Sequence, residues 1–172
     1  MGKPDYKAYS PKSYPLKDID ELNIVVLRTE WNDDVVGKIH KSCIKALKDA
    51  GIKKDQIHQH TVPGSFELPM GVKMILTSAV KADAIICLGC VIQGETKHDD
   101  YINHTIARSI NNLNLASGTP VIFGVLTTNT KEQALARAGG ERGDKGHESA
   151  MAALKMISLK EQLSTKSKKI SF

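Results

Sequence analysis

Cysteine is scarce in this chain, with three in 172 residues, too few to suggest a disulfide framework or a zinc site. Cys87 and Cys90 have C-x-x-C spacing, but residues three apart on a strand point to opposite faces, so the pair reads as two core thiols. No apolar stretch near the N-terminus resembles a signal peptide, and no run approaches the length of a membrane span. The cytoplasm is the simplest location. The glycine-rich run Ala138-Gly139-Gly140-Glu141-Arg142-Gly143-Asp144-Lys145-Gly146 lacks the G-x-x-x-x-G-K-[ST] spacing and precedes a helix without following a strand, which argues against a nucleoside-triphosphate site. The folded body also lacks a basic face. Much of the excess behind the formal charge of +5 lies in Lys3, Lys7, Lys12 and Lys17 at one end and Lys166, Lys168 and Lys169 at the other, which argues against nucleic acid as a partner.

What remains is one domain's worth of chain, 41% hydrophobic, with enough apolar content for a proper core. Residues 1–21 hold three of the four tyrosines, three prolines and several lysines without periodicity. They form a tail that is extended or docked on a neighbouring subunit. Residues 161–172 form a basic C-terminal tail. Between them, residues 22–160 repeat one theme. Ile24-Val25-Val26-Leu27 is a buried-strand run, followed by a loop with helix-capping carboxylates and a helix marked by Val35, Ile39, Cys43, Leu47 and Ala50 that stops at Gly51. Ile57 to Val62 is the second strand. Pro63-Gly64 ends it, Ser65 can cap the next helix, and Pro69 is tolerable only in a helix's first turn. Ala84 to Leu88 is the third strand and Val121 to Thr128 the fourth, with Thr130 and Gln133 at capping-box spacing after it. The last helix, carrying Ala150, Ala153, Leu154, Ile157 and Leu159, is apolar over a wide arc and is expected to pack on the sheet and on something else, such as another subunit. Strands alternating with helices predict an α/β fold: a three-layer α/β/α sandwich with a four-stranded parallel sheet, flavodoxin-like.

The chain is organised around Gly89-Cys90-Val91-Ile92-Gln93-Gly94-Glu95-Thr96-Lys97-His98-Asp99-Asp100, a strand-to-helix turn, since Ile102, Ile106, Ile110 and Leu113 recur at helical spacing after it. A helix start at the carboxyl end of a parallel strand offers free N–H groups to an anion. Thr96 with Asp99 also has capping-box spacing, so capping alone accounts for Thr96 equally well. His98 falls in the first helical turn, where the dipole disfavours imidazolium and leaves a ring able to exchange protons near neutral pH; a surface histidine is the plainer reading. His58 and His60 share a face of the second strand, but no third ligand stands at a suggestive spacing, so a solvated edge strand is preferred to a metal site. Trp31, Phe66 with Glu67, and the turn ending in His98 all fall at strand ends. An aromatic wall, a hydroxyl-binding carboxylate, an anion-binding helix start and a proton-transfer group suit a phosphorylated polyol or a heterocycle.

Three stretches together, Pro63-Gly64-Ser65-Phe66-Glu67-Leu68-Pro69, the turn from Gly89 to His98, and Glu132-Gln133-Ala134-Leu135-Ala136-Arg137-Ala138-Gly139, resemble the 6,7-dimethyl-8-ribityllumazine synthase family of riboflavin synthesis. The likeness covers about residues 22–160 in order and spacing and leaves both tails outside. It implies a condensation that needs no cofactor and no metal, between 5-amino-6-(ribitylamino)uracil and 3,4-dihydroxy-2-butanone 4-phosphate. Carried onto matching positions, it implies that Trp31 stacks on the pyrimidine, that Ser65, Phe66 and Glu67 hold the ring and ribityl hydroxyls, and that Val91 and Ile92 offer backbone groups. Glu95, Thr96 and Arg137 would bind phosphate and His98 would move protons. Phe123, Arg137 and Lys145 would arrive from an adjacent subunit. Gln93 stands where many relatives have arginine and Glu95 where a small residue is common; Glu148 keeps a usual carboxylate.

The resemblance further implies pentamers, and the short Gly139–Gly146 segment leans toward twelve of them closed into a sixty-subunit shell, with riboflavin synthase as a possible associate and the N-terminal tail adding a strand to a neighbour. A non-catalytic flavin-binding or shell-forming relative is the alternative; the joint presence of His98, Arg137 and Lys145 argues against it. A flavodoxin-like electron carrier would need a phosphate loop where Arg28-Thr29-Glu30-Trp31 stands, which is too bulky and acidic.

Overall fold

The structure, a computed structural model, describes residues 13–16, 18–95 and 98–167. Four strands, β1 (Ile24–Thr29), β2 (Ile57–Val62), β3 (Ala84–Ile92) and β4 (Val121–Thr128), form one all-parallel sheet in the order β2-β1-β3-β4. The connecting helices are α1 (Asp33–Asp49), α2 (Leu68–Leu76) and α3 (His98–Ser117), followed by a short α4 (Lys131–Ala136) and a long α5 (Lys145–Ser167). This is the expected flavodoxin-like α/β sandwich.

The strands are apolar on both sides, and period-two alternation divides them between two cores. Ile24, Val26, Ile86 and Leu88 face one layer, built from Val36, Ile39, Cys43 and Leu47 of α1 and Leu154 and Ile157 of α5. Val25, Leu27, Ile85 and Cys87 face the other, built from Leu68, Val72 and Ile75 of α2 and Ile106 and Ile110 of α3. Cys87 and Cys90 fall in opposite cores, as their spacing predicts, and burial pushes the two thiols up to about 12 and about 11. Such thiols are not thiolates near neutral pH, so they are structural.

From β1 the chain steps outward through α1 to β2, then returns through α2, on the opposite face, past β1 to β3. Opposite directions with helices on opposite faces give both crossovers the same hand. The strand order therefore reverses between β1 and β3, and the connections that leave their carboxyl ends turn to opposite faces of the sheet, which leaves a crevice between them.

Part of the wide apolar arc of α5 is covered inside the chain: α5 lies against α1 so closely that a Cβ on Gly146 would come within 1.9 Å of the Ile39 carbonyl oxygen, while Met156, Leu159 and Leu163 stay exposed. The helix also runs on to Ser167 and takes in part of the segment read as a basic tail. The glycine-rich run is a two-stranded antiparallel ribbon, β5 (Ala138–Gly140) with β6 (Gly143–Asp144), rather than an open loop. Near the N-terminus, residues 13–16 lie on the chain's own α5. The Ser158 hydroxyl donates to the Pro15 carbonyl at 2.9 Å, and the Lys155 ammonium stands 4.8 Å from the Tyr14 ring centre. Residues 1–12 lie outside the described residues.

β2 is an edge strand, as anticipated for His58 and His60, and His58 Nε2 is spent on Asn23 Oδ1 at 3.0 Å. Among the described residues no group of three or more histidines, cysteines or carboxylates could hold a metal ion, and no helix is long and apolar enough to cross a membrane.

Candidate active site

The crevice between the ends of β1 and β3 opens into a cavity of about 570 Å³ lined by Trp31, Asn32, Gly64, Ser65, Phe66, Glu67, Cys90, Val91, Ile92, Gly94, Tyr101, Ile102 and Thr105, a size that suits a small-molecule ligand. Its wall begins at the turn after β1. The Glu30 N–H reaches the carbonyls of Val62 and Pro63 at 2.9 and 3.2 Å, and the Trp31 N–H reaches Pro63 at 3.2 Å. Asn32 carries the single positive φ of a non-glycine residue among those described, 57°. Asparagine tolerates this left-handed conformation better than other side chains. Its Nδ2 donates to the Cys90 carbonyl at 3.0 Å. The turn is thus fastened to both neighbouring strand ends, and Trp31 projects from it 69% exposed.

Gly64 lies beneath. A Cβ there would stand 3.3 Å from the Trp31 ring and 3.1 Å from Glu67 Oε2, so glycine lets an aromatic face and a carboxylate approach one spot. Glu67 Oε2 accepts the Gly64 N–H at 3.0 Å, which fixes the carboxylate while its other oxygen stays free to accept from a hydroxyl. Ser65 does not cap the following helix as expected; α2 has no side-chain cap bond, the Glu67 carboxylate fastens the start of the preceding 3₁₀ turn instead, and Ser65 is buried at the cavity floor beside Gly89. The carboxylates expected to cap α1 are engaged elsewhere: Asp33 pairs with Arg28, and Asp34 pairs with Lys131 at 2.6 Å. The Lys131 bond holds the Asp34 carboxyl below its ordinary value. Phe66 is 58% exposed, a second large apolar ring with no cover in its own chain.

Toward α3, a Cβ on Gly94 would meet nothing within 4 Å among the described residues. Glu95 is exposed. Thr96 lies outside the described residues, as does the side chain of His98, whose backbone begins α3.

A second cavity, of about 440 Å³, lies at the carboxyl end of β4 and is lined by Val125, Leu126, Thr127, Thr128, Gln133, Arg137, Arg142 and Lys145. Arg137 ends α4, where Thr130 caps the helix by accepting the Gln133 N–H at 3.3 Å and Gln133 Oε1 accepts from Asn129 at 3.0 Å, a capping box displaced by one residue. The Arg137 guanidinium donates to the Arg142 carbonyl at 2.9 Å and to the buried carboxylate of Glu148 at 3.1 Å. Burial pushes the Lys145 ammonium below its ordinary value; nearby Glu148 opposes the shift and Arg137 adds to it.

Among the described residues the two cavities share no lining residue. The first gathers Trp31, Ser65, Phe66, Glu67, Val91 and Ile92. Arg137 and Lys145 stand at the second, and Phe123 at neither, being half-buried against the α2 and α3 core. Asn32, Tyr101, Gln133 and Arg142 escaped sequence reasoning. Asn32 was hidden in a run that reads as helix caps, and Arg142 in a run that reads as a loop.

Comparison with known proteins accords with this geometry. Residues 21–161 match the family model described as 6,7-dimethyl-8-ribityllumazine synthase. The chain is similar to proteins of that name from Cytophaga hutchinsonii (46% identical over 132 residues, 77% of this chain and 82% of the relative), Phocaeicola vulgatus (43% over 155 residues, 90% of each) and Bacteroides fragilis (44% over 137 residues, 80% and 94%).

Proposed function

This chain belongs to the 6,7-dimethyl-8-ribityllumazine synthase family, and we propose that it condenses 5-amino-6-(ribitylamino)uracil with 3,4-dihydroxy-2-butanone 4-phosphate in a site completed between two copies of the chain. The observation that carries this reading is the division of labour between the cavities. Among the described residues, one has an aromatic wall and a carboxylate but no cation, the other has cations but no aromatic ring, and they share none of these residues. A substrate pair made of a flat heterocycle with a polyol arm and a phosphorylated ketone needs both.

In this reading Trp31 stacks on the pyrimidine, Val91 and Ile92 offer backbone groups to its edge, and Ser65, Phe66 and Glu67 hold the ring and the ribityl hydroxyls. The neighbouring copy contributes Phe123, Lys145 and Arg137. Arg137 faces the phosphate, together with the α3 start at Glu95 and Thr96. The amine of the uracil attacks the ketone carbonyl; water leaves as the imine forms. Loss of a proton and of phosphate comes next, and the second amine closes the ring with loss of another water. Alignment of an amine with a ketone can supply roughly 7–11 kcal/mol, whereas a single proton-transfer group such as His98 adds about 10²- to 10⁴-fold. Most of the acceleration therefore comes from holding the two reactants together.

The same reading places residues 22–160 as the catalytic domain, repeated in a pentamer. The glycine-rich ribbon turns back after two residues, Glu141 and Arg142, and this compactness favours closure of pentamers into a sixty-subunit shell. A light-scattering mass fixed at five chains across concentration and buffer would refute the shell. Activity is tested by incubating the pure protein with both substrates while following lumazine fluorescence and released phosphate, with Arg137→Ala as control. Stoichiometric product and phosphate, formed far faster than in buffer and slowed in the control, are expected. An assembled protein that gives no acceleration would overturn the assignment.

A further inference from the structure

We propose that the Arg142 side chain is a specificity-determining residue of the cationic cavity, a second guanidinium that draws in and holds the phosphate monoester of the ketone substrate. This deepens the reading that the cavity takes phosphate and rests on it.

Nothing in the fold calls for arginine at this position. Glu141 and Arg142 are the two residues between Gly140 and Gly143, which face each other across the β5–β6 ribbon. Two-residue hairpin turns usually need glycine or asparagine at their centre because the backbone takes positive φ there. Here the positive φ falls on the flanking glycines, 92° at Gly139 and 121° at Gly143, so the tip accepts any L residue. The backbone of Arg142 is fully used: its N–H donates to Ala136 at 2.9 Å and its carbonyl accepts from Arg137 at 2.9 Å. Any residue would supply those bonds. The side chain packs in no core, and its one ion pair, to Glu141 at 3.7 Å, joins two groups that are 70% and 80% exposed, too wet to hold it. Yet it lines the same cavity as Arg137 and Lys145.

Charge supplies the reason. A phosphate monoester carries about −1.5 to −2 near neutral pH. Glu148, buried against Arg137, cancels one of the two positive charges that Arg137 and Lys145 bring. Arg137 has also committed one N–H of each terminal nitrogen, to the Arg142 carbonyl and to Glu148, which leaves three of its five donors and fixes the direction in which they point. Arg142 adds a second guanidinium at the cavity: its Nε faces Glu141 at 3.7 Å across solvent, a weakly screening pair, while its two terminal nitrogens make no hydrogen bond among the described residues and present donors suited to phosphate oxygens.

The test measures steady-state kinetics of the assembled Arg142→Ala, Arg142→Lys and Arg137→Ala proteins, varying each substrate in turn at low and high salt. Arg142→Ala is expected to raise KM for the ketone phosphate about three- to tenfold while kcat and KM for the pyrimidine stay within about twofold. Arg142→Lys should show a smaller rise, since it keeps the charge and loses the fork, and the gap to wild type should narrow as salt screens it. An unchanged KM for the ketone phosphate in Arg142→Ala, alongside a raised one in Arg137→Ala, would overturn the inference alone. Equal rises for both substrates would also overturn it, by showing a merely structural role. If Arg137→Ala leaves that KM unchanged as well, the phosphate reading of the cavity fails, and Arg142 fails with it.

Discussion

The aromatic cavity and the cationic cavity sit at the same edge of one sheet, yet they are held by different forces. The first is shaped by main chain: the turn after β1 is tied to β2 and β3 by backbone carbonyls, and Gly64 creates room by omission. Its large rings, Trp31 and Phe66, stand exposed on that scaffold. The second is shaped by side chains and tertiary packing. Arg137 is oriented by Glu148 from α5, α5 is positioned by α1, and a ribbon tip closes one side. A cavity built from local turns should tolerate distant change and fail to changes in its own backbone. A cavity built from tertiary contacts should show the reverse.

The sharpest way to break that contrast is Gly146→Ala. The new methyl would overlap the Ile39 carbonyl, main chain that cannot turn aside, so α5 must part from α1. A loss of about 3 kcal/mol or more is expected, seen as a large drop in Tm or as insoluble protein. An unchanged Tm would mean that the α1–α5 contact is looser than described. Gly94→Ala, in the turn before α3, should leave Tm within a degree or so and act, if at all, on substrate binding.

Asn32 probes the backbone-built cavity. Alanine there would strain a left-handed residue by about 1–2 kcal/mol and remove a hydrogen bond worth about 1 kcal/mol, whereas glycine would lose the bond without the strain. Urea unfolding should therefore rank wild type above Asn32→Gly and Asn32→Gly above Asn32→Ala. The chain has one tryptophan, the neighbour of Asn32, so intrinsic fluorescence reads the position of the wall directly. Both variants should shift the emission of Trp31; identical spectra would show that the tie to Cys90 does not position the ring.

These two sites also mark what could be read from sequence. The strands, their order of use and the Pro63–Pro69 and Gly89–His98 turns were legible because each rests on short-range signals: apolar runs, prolines, glycines at strand ends. Trp31, Phe66 and Glu67 were found for that reason. Asn32 drew no reading of its own because it stands in a loop whose carboxylates look like helix caps, and only the fold shows its side chain turned to Cys90. Ser65 does not cap α2 because it opens a 3₁₀ turn, Ser65–Glu67, and α2 starts only at Leu68, without a side-chain cap. Arg142 and the ribbon were invisible because β5 and β6 are short and glycine-rich, and the α1–α5 contact because Gly146 gives no apolar signal.

Glu148→Gln, a smaller perturbation, tests the side-chain-built cavity. It keeps the shape and removes the charge that holds Arg137, weakening a charge-assisted bond by about 1–2 kcal/mol. Arg137 then gains freedom, and the cavity gains net positive charge. Tighter but less productive binding of the ketone phosphate is expected, with KM and kcat falling together; a rise in KM with unchanged kcat would show that orientation of Arg137 matters more than net charge.

The smallest effect separates the cavities by pH. Burial lowers the Lys145 ammonium below its ordinary 10.5, with Arg137 adding to the shift against Glu148. The unfolded chain therefore holds that proton across the interval between the lowered value and 10.5, where the folded chain has released it. Because the unfolded state binds more protons there, stability from this group rises with pH through the interval, the reverse of a lysine held by a salt bridge. Below the interval both states are charged and the full cost of burying the ammonium is present. Lys145→Met should remove that cost, so the variant should exceed wild type in unfolding free energy near neutral pH and lose its advantage as pH climbs toward 10.5. Ser65 carries no charge over this pH range, so a Ser65→Ala protein should follow the wild-type pH curve with only a constant offset. A Lys145→Met curve parallel to wild type would mean that Lys145 reaches solvent in the assembled protein, and that the cationic cavity is wetter than its packing implies.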